Sequence, residues 1–251
     1  MPCTSVKLNF VDDETPVDLC VDILRDDMPL RVVAENGKAY FVKCMQSCRC
    51  KENGEAQRIL DDSVVRACFC KYKDRTLPYC YVVMHDGGID LMDALMQAQT
   101  PEENVSDTQV LEALWRAARD VCALHNCGRV HGDIKPENML LERYGMIDFD
   151  TMTRRGSARS AEHTPDYCAD DTACFATEAM DCYSLAVACG VALFRRMPPT
   201  RFKVTHSNVR LWCSNNIFTP FVVKLFKCTS AQQIQTCLRQ AIQDLQKSAS
   251  A

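Results

Sequence analysis

The chain has 251 residues, of which 47% are hydrophobic and 25% charged, so it can bury one or two substantial cores. Its formal net charge of −4 gives no reason to expect nucleic-acid binding, and no apolar run approaches the length of a membrane span. Because the first residues also lack a secretory signal, we expect a protein of the cytosol or nucleus, with neither a nucleic-acid nor a membrane partner.

Cysteine is frequent, with 17 residues, but the disulfide frameworks that such a number suggests belong to short secreted chains. We therefore expect free thiols. One group of cysteines lies in the first third of the chain: Cys44, Cys48, Cys50, Cys68, Cys70 and Cys80. It contains no C-x-x-C pair, and zinc sites favour that close spacing repeated in two knuckles, so ordinary packing is favoured over a zinc site.

The first predicted element is a β-hairpin. Residues 31–34 and 38–43 have the composition of strands, and Asn36-Gly37 between them is a dipeptide typical of tight hairpin turns. The second strand is predicted to end at Lys43.

A helix, a strand and a turn are predicted next. The helix covers residues 53–60, begins at an asparagine cap and carries Glu55 in its first turn. Residues 81–84 form a buried-strand run. In the segment that follows, residues 85–91, a pair of glycines lets the chain turn into a helix that starts near Asp90.

A long helix is predicted after residue 106. Residues 106–109, Ser-Asp-Thr-Gln, have the pattern of a capping box. Apolar residues then recur at helical spacing, which places this helix in the core: Val110, Leu111, Leu114, Trp115, Ala118, Val121, Cys122 and Leu124.

The most informative feature is a polar segment followed by a short acidic one: His131-Gly132-Asp133-Ile134-Lys135-Pro136-Glu137-Asn138 and Ile147-Asp148-Phe149-Asp150. Asp133 can accept the proton of an attacking hydroxyl, and Lys135 can neutralise charge on a moving phosphoryl group. Asn138 and Asp148 supply the hard oxygen ligands that suit magnesium. Residues 139–141 and 145–147 are predicted to form two short strands that fold Asp148 back toward Asn138.

The five-residue step from Asp133 to Asn138 matches the motif H-R-D-x-x-x-x-N, with Gly132 in place of arginine. The chain thus resembles the eukaryotic-type protein kinase family, and its compactness resembles reduced kinases encoded by large DNA viruses. The resemblance implies an α+β, two-lobed fold. It consists of a small β-rich lobe at residues 1–84, a hinge at 85–90 and a mainly helical lobe at 91–251.

The resemblance also implies an ATP site. Lys43 matches the lysine that binds nucleotide phosphates, Glu55 its glutamate partner, Met84 the gatekeeper position and Asp86 the hinge. An alternative stays open, in which Lys43 is a solvated lysine at a strand end and Glu55 is stabilised by the helix dipole. Residues 23–30, where the family has a glycine-rich loop over the phosphates, contain no glycine, so Arg25 or Arg31 would have to assist there.

Two downstream segments match the family as well. Residues 163–171 resemble G-T-x-x-Y-x-A-P-E, which shapes the peptide-substrate groove, with two aspartates in place of Pro-Glu. Residues 181–186 resemble D-x-W-S-x-G, whose aspartate braces the catalytic loop. The basic stretch at residues 154–160 is predicted to be a mobile activation segment. Three residues are candidate phosphorylation positions: Ser157, Ser160 and Thr164.

Three functions fit these motifs. The first is an ATP- and magnesium-dependent serine/threonine kinase acting on protein hydroxyls, which Lys135 in D-x-K-P-x-N supports. The second is a pseudokinase that serves as a binding or regulatory module, which the missing glycines favour. The third is a small-molecule phosphotransferase of the aminoglycoside or choline kinase type, because H-G-D and I-D-F-D also occur in those enzymes.

Overall fold

The computed structural model describes residues 5–12, 15–22, 30–34, 37–46, 55–56, 59–60, 68–70, 79–97, 104–169, 172–199 and 203–249. The chain divides into two compact units, Met1–Gly87 and Gly88–Ala251. The division falls inside residues 85–90, the segment for which a hinge is predicted. The assignment of lobes and hinge to these residues stays a prediction.

The first unit consists mainly of antiparallel β-structure. Strands β1 (Ser5–Asp12) and β2 (Thr15–Asp22) pair with each other. A second sheet has the order β3-β4-β6-β5 and is formed by four strands: β3 (Leu30–Val33), β4 (Ala39–Gln46), β5 (Cys68–Cys70) and β6 (Tyr79–His85). Residues 55–56 and 59–60 are helical, within the range of the predicted helix.

The β3–β4 pair confirms the predicted hairpin. Val33 lies opposite Ala39, and Gly37 has a φ of 81°, which a residue with a side chain rarely adopts. The predicted end of the second strand is wrong. Strand β4 continues past Lys43 to Gln46 because it also pairs with β6, an interaction between distant residues that the local sequence does not show. Asn36, Asn53 and residues 23–29 lie outside the described residues.

The second unit is mainly helical. Its helices are α1 (Leu91–Gln97), α2 (Asp107–Asn126), α3 (Glu178–Phe194), α4 (Val209–Trp212), α5 (Thr219–Leu225) and α6 (Ala231–Ala249). Strands β7 (Arg129–Val130) and β8 (Thr153–Arg154) form a short antiparallel pair. Together the two units confirm the predicted α+β class. None of the helices in the described ranges combines the length and the apolar composition that a membrane span requires.

Helices α2 and α3 form the core of the second unit. The predicted capping box starts α2: the Ser106 hydroxyl accepts the Gln109 N–H at 3.2 Å, and the Gln109 side chain accepts the Ser106 N–H at 2.9 Å. Helix α3 is buried on all sides from Leu185 to Phe194. Gly190 allows α3 to approach Trp212, because a Cβ at that position would lie 2.5 Å from the indole ring.

We predict that Gly190→Ala destabilises the protein by about 1–3 kcal/mol, although alanine in an exposed helix is normally favoured over glycine by about 1 kcal/mol. The added methyl would overlap the Trp212 ring, which is buried and packs edge-on against Phe194 at 5.0 Å between centroids. Denaturant unfolding measures the change. In a Trp212→Phe background, Gly190→Ala should lower the free energy of unfolding by clearly less, because the indole atoms that the new methyl would overlap are absent. An equal loss in both backgrounds would contradict the role of Trp212 as the group that requires glycine at position 190.

Candidate active site

Asp133 lies at the centre of a hydrogen-bonded group in the second unit. One carboxylate oxygen accepts the backbone N–H of Thr164 at 2.9 Å and the Thr164 hydroxyl at 2.8 Å. The other oxygen lies 2.8 Å from Lys135 Nζ and accepts a longer bond of 3.3 Å from the amide of Asn138. Lys135 Nζ also donates to the Thr164 hydroxyl at 3.0 Å, which closes the group into a ring of contacts.

These partners decide the charge of Asp133. Burial by itself raises the pKa of this carboxyl group, but hydrogen bonds from Lys135 and Thr164, together with the Lys135 charge, outweigh burial and hold the pKa below its ordinary value. Asp133 is therefore an anion at neutral pH. An anion of low basicity in this position can orient a hydroxyl group and receive its proton late in a reaction.

The backbone before Asp133 is held by Asp181 at the start of helix α3. The buried Asp181 carboxylate accepts the N–H groups of His131 at 2.8 Å and Gly132 at 3.0 Å, and lies 2.9 Å from His125 Nε2. Gly132 has a φ of 88°, and a Cβ there would lie 3.1 Å from the carbonyl oxygen of Thr151. These contacts confirm that Asp181 braces the loop, and they explain why glycine suits position 132.

The buried ring of His131 contacts two parts of the site. Its side chain is fully buried, and Nδ1 accepts the Asp133 N–H at 3.3 Å. That bond leaves the proton on Nε2, which donates to the Ile147 carbonyl at 3.2 Å. The ring also packs against Phe149 at 5.2 Å between centroids. His131 thereby connects the Asp133 loop with the segment that carries Asp148.

The predicted return of the chain from Asn138 toward Asp148 is confirmed, as a single bridge rather than two full strands. Met139 pairs with Met146, and the Ile147 N–H donates to the Asn138 carbonyl at 2.9 Å. Asp148 follows in the left-handed conformation, with φ 60° and ψ 69°. Aspartate tolerates this region better than most residues, but such backbone persists only where its surroundings hold it, which is common at functional sites.

Asn138 and Asp148 carry oxygen donors of the kind that divalent cations prefer, and their assignment as metal ligands stays a prediction. The Asn138 amide nitrogen donates to the Asp133 carbonyl at 2.8 Å, which fixes the amide orientation and leaves its oxygen as the atom for a cation. No group of three or more His, Cys, Asp or Glu side chains is placed to hold a metal ion in the described part of the chain. A cation at Asn138 and Asp148 would therefore need further oxygens from a nucleotide or from water.

The other predicted site residues belong to the first unit. Lys43 is half-buried in the middle of β4, opposite Val82, and Glu55 is half-buried in a helical segment. Met84 lies in β6 opposite Phe41. Each of these assignments to a nucleotide site stays a prediction, and so does the pairing of Lys43 with Glu55.

Asp86 is bonded to other residues of the first unit. Its carboxylate lies 2.6 Å from Nε of Arg31, and its N–H donates to the Ala39 carbonyl at 3.1 Å. The Asp86 N–H is therefore already bonded, and the assignment of Asp86 to a nucleotide site stays a prediction. Arg31 reaches phosphates only if it leaves this ion pair, and Arg25 lies outside the described residues.

The segment after Asp148 is more regular than predicted. Strand β8 pairs with β7, the Arg155 N–H donates to the Gly128 carbonyl, and Ala158 forms a bridge with Phe175. Arg155 also forms an ion pair of 2.6 Å with Glu178. These contacts join residues more than 15 positions apart, so the polar and basic composition of the segment gave no sign of them. Asp170 and Asp171 lie outside the described residues.

Thr164 is the site residue whose role the sequence did not reveal. From the sequence, Thr164 is predicted to be a phosphorylation position and part of a substrate-groove motif. Its hydroxyl donates to Asp133 and accepts from Lys135, and its assignment as a phosphorylation position stays a prediction. The sequence feature that singles out Thr164 is its place in the groove motif, next to Pro165. Neighbouring residues do not indicate that Thr164 contacts Asp133, which lies 31 positions earlier.

Comparison with known proteins points to one family. Residues 32–248 match a family model described as protein kinase domain. Among curated proteins, 100 residues are 34% identical to Rho-associated protein kinase let-502 of Caenorhabditis briggsae and 35% identical to Rho-associated protein kinase 1 of Homo sapiens. Each match covers 36% of this chain and, respectively, 8% and 7% of the relative, so the chain spans under a tenth of those proteins.

We predict that Asp181→Ala lowers the free energy of unfolding by about 3 kcal/mol, because it leaves the buried N–H groups of His131 and Gly132 without an acceptor. Chemical denaturation, monitored by circular dichroism, measures this loss of stability. Glu178→Gln is the matched control on the same helix, since its ion pair with Arg155 is largely exposed and is worth less than about 1 kcal/mol. Equal losses in both variants would refute the bracing role.

Proposed function

This chain belongs to the protein kinase family, and we propose that it is a serine/threonine protein kinase that transfers the terminal phosphate of ATP to protein hydroxyls with the help of magnesium. The observation that carries the proposal is the ring of contacts around Asp133. A carboxylate held as an anion by Lys135 and Thr164, beside the amide of Asn138, is an arrangement for orienting a hydroxyl group. A protein that only binds partners has no chemical need for this arrangement.

Each residue would have a separate task. Asp133 would orient the attacking hydroxyl and receive its proton, while Lys135 would neutralise charge next to it. Asn138 and Asp148 would hold magnesium, and Lys43, paired with Glu55, would bind nucleotide phosphates. When bound, magnesium supplies charge neutralisation at the phosphate oxygens. Because Lys135 contacts both Asp133 and Thr164, it can shift its hydrogen bonds without leaving the site.

Specificity for protein serine and threonine is supported by two features. Lys135 stands in D-x-K-P-x-N, a pattern that resembles serine/threonine kinases more than tyrosine kinases. Thr164 belongs to the segment that resembles a peptide-substrate groove, and it binds directly to Asp133. The second feature connects the groove segment with the reacting group, which favours a protein substrate over an aminoglycoside or choline.

A second candidate function is that of a pseudokinase. Residues 23–30 contain no glycine, whereas close approach of backbone N–H groups to phosphates usually requires it. In that case the second unit would keep the loop geometry without binding a nucleotide. Nucleotide binding separates the two functions.

We predict that ATP with magnesium stabilises the full chain, by about 2.7 kcal/mol at a ligand concentration one hundred times the dissociation constant. Thermal shift measures this stabilisation, and a radiolabel assay measures phosphate transfer.

We expect Asp148→Asn to lose both the magnesium-dependent part of the thermal shift and the phosphate transfer, with little change in the fold. Asp244→Asn, an exposed carboxylate on α6, is the control and should behave like the wild type. Substantial transfer by Asp148→Asn would refute the metal assignment, and no shift at millimolar nucleotide would favour the pseudokinase.

The substrate class can be tested in the same assay. We expect radiolabel from ATP on serine and threonine of casein, and none on kanamycin or choline. Asp133→Asn should remove the labelling, because an amide cannot receive the hydroxyl proton. Label on kanamycin or choline but not on casein would establish the small-molecule reaction instead.

A further inference from the structure

The turn between Asn138 and Asp148 is bound to helix α2 by side chains. The buried carboxylate of Asp120 accepts the N–H of Met146 at 3.0 Å. One helical turn earlier, the guanidinium of Arg116 donates to the carbonyl of Tyr144 at 3.2 Å and to the carbonyl of Leu141. Two side chains of one helix face thus satisfy three backbone groups of the turn.

The fit between the turn and the helix is close. A Cβ at Gly145 would lie 2.1 Å from the Asp120 carboxylate and 2.6 Å from the Arg116 carbonyl oxygen. Only glycine therefore lets the turn reach these partners. Arg119 neutralises Asp120 from the other side, with two bonds of 2.9 and 3.0 Å to the same carboxylate oxygen. Burial raises the pKa of Asp120 in spite of these partners, which indicates how much solvation the carboxyl group has lost.

This brace lies between the two candidate metal ligands. Asn138 precedes the turn and Asp148 follows it, and Met146 is two residues before Asp148. Because Asp148 has a φ of 60°, its backbone would relax toward a more common conformation if the preceding residues were released. A helix is a stiffer support than a loop, so contacts to α2 can fix where Asp148 lies relative to Asn138.

We infer that Arg116 and Asp120 are positioning residues that set the spacing of Asn138 and Asp148 for magnesium. The inference rests on the proposed function. Neither side chain contacts the reacting groups of that site in the described structure; they act through the backbone of residues 141–146. Partners that orient metal ligands in this way typically change metal affinity by about 10–100-fold when they are replaced.

The test is a titration of the full chain with Mn²⁺ at saturating adenylyl imidodiphosphate. The electron paramagnetic resonance signal of free Mn²⁺ measures how much of the metal is bound at each step. Asp120→Asn keeps the shape of the side chain but loses its charge and one acceptor, and its half-saturating Mn²⁺ concentration should rise at least about tenfold. Arg116→Gln should raise it several-fold, to an extent below that of Asp120→Asn. Nucleotide affinity without metal should stay as in the wild type in both variants.

Asp107→Asn is the matched control, because it makes the same chemical change at the other end of α2, remote from the turn. Its metal affinity should equal that of the wild type. A lower melting temperature with unchanged Mn²⁺ affinity in both test variants would overturn the inference and leave a purely structural brace. If Asp120→Asn does not fold, Arg116→Gln decides the question, since Arg116 is partly exposed. A wild-type chain that binds no Mn²⁺ with the nucleotide would overturn the proposed function, and this inference with it.

Discussion

The buried carboxylate of Asp181 is the interaction on which the rest of the site depends. A charge in the interior of a protein is costly unless several donors satisfy it. Here the donors are the N–H groups of His131 and Gly132 and the ring of His125, which come from the loop before Asp133 and from helix α2. The requirement to solvate one carboxylate therefore fixes the loop against two helices at once.

The loop is held from both of its ends by the same physical means. Asp181 binds the backbone before Asp133, and Asp120 binds the backbone before Asp148. In both cases a buried aspartate on a helix accepts backbone N–H groups of an irregular segment, two at Asp181 and one at Asp120. Irregular backbone carries polar groups that must be satisfied wherever it is buried, and these two side chains supply the acceptors. Such fixed support is what catalysis by orientation requires.

The segment after Asp148 is held in place in a chain that has glycine rather than arginine at position 132. In the resembled family that arginine gathers a phosphate on the activation segment. Here backbone pairing at Ala158 and Phe175 and the Arg155–Glu178 ion pair hold the segment, and Thr164 binds to Asp133 with an unmodified hydroxyl. Order in this segment thus arises from contacts that are present without a phosphate.

The sequence by itself determined the features that depend on neighbouring residues. The β3–β4 hairpin, the capping box at Ser106 and the grouping of Asp133 with Asn138 follow from turn chemistry, helix-end chemistry and motif recognition. Only the tertiary structure decided that β4 continues beyond Lys43, that Thr164 joins Asp133, and that Asp120 lies under Gly145. These contacts join residues tens of positions apart, so they depend on how distant elements of the chain pack together, which no local pattern records.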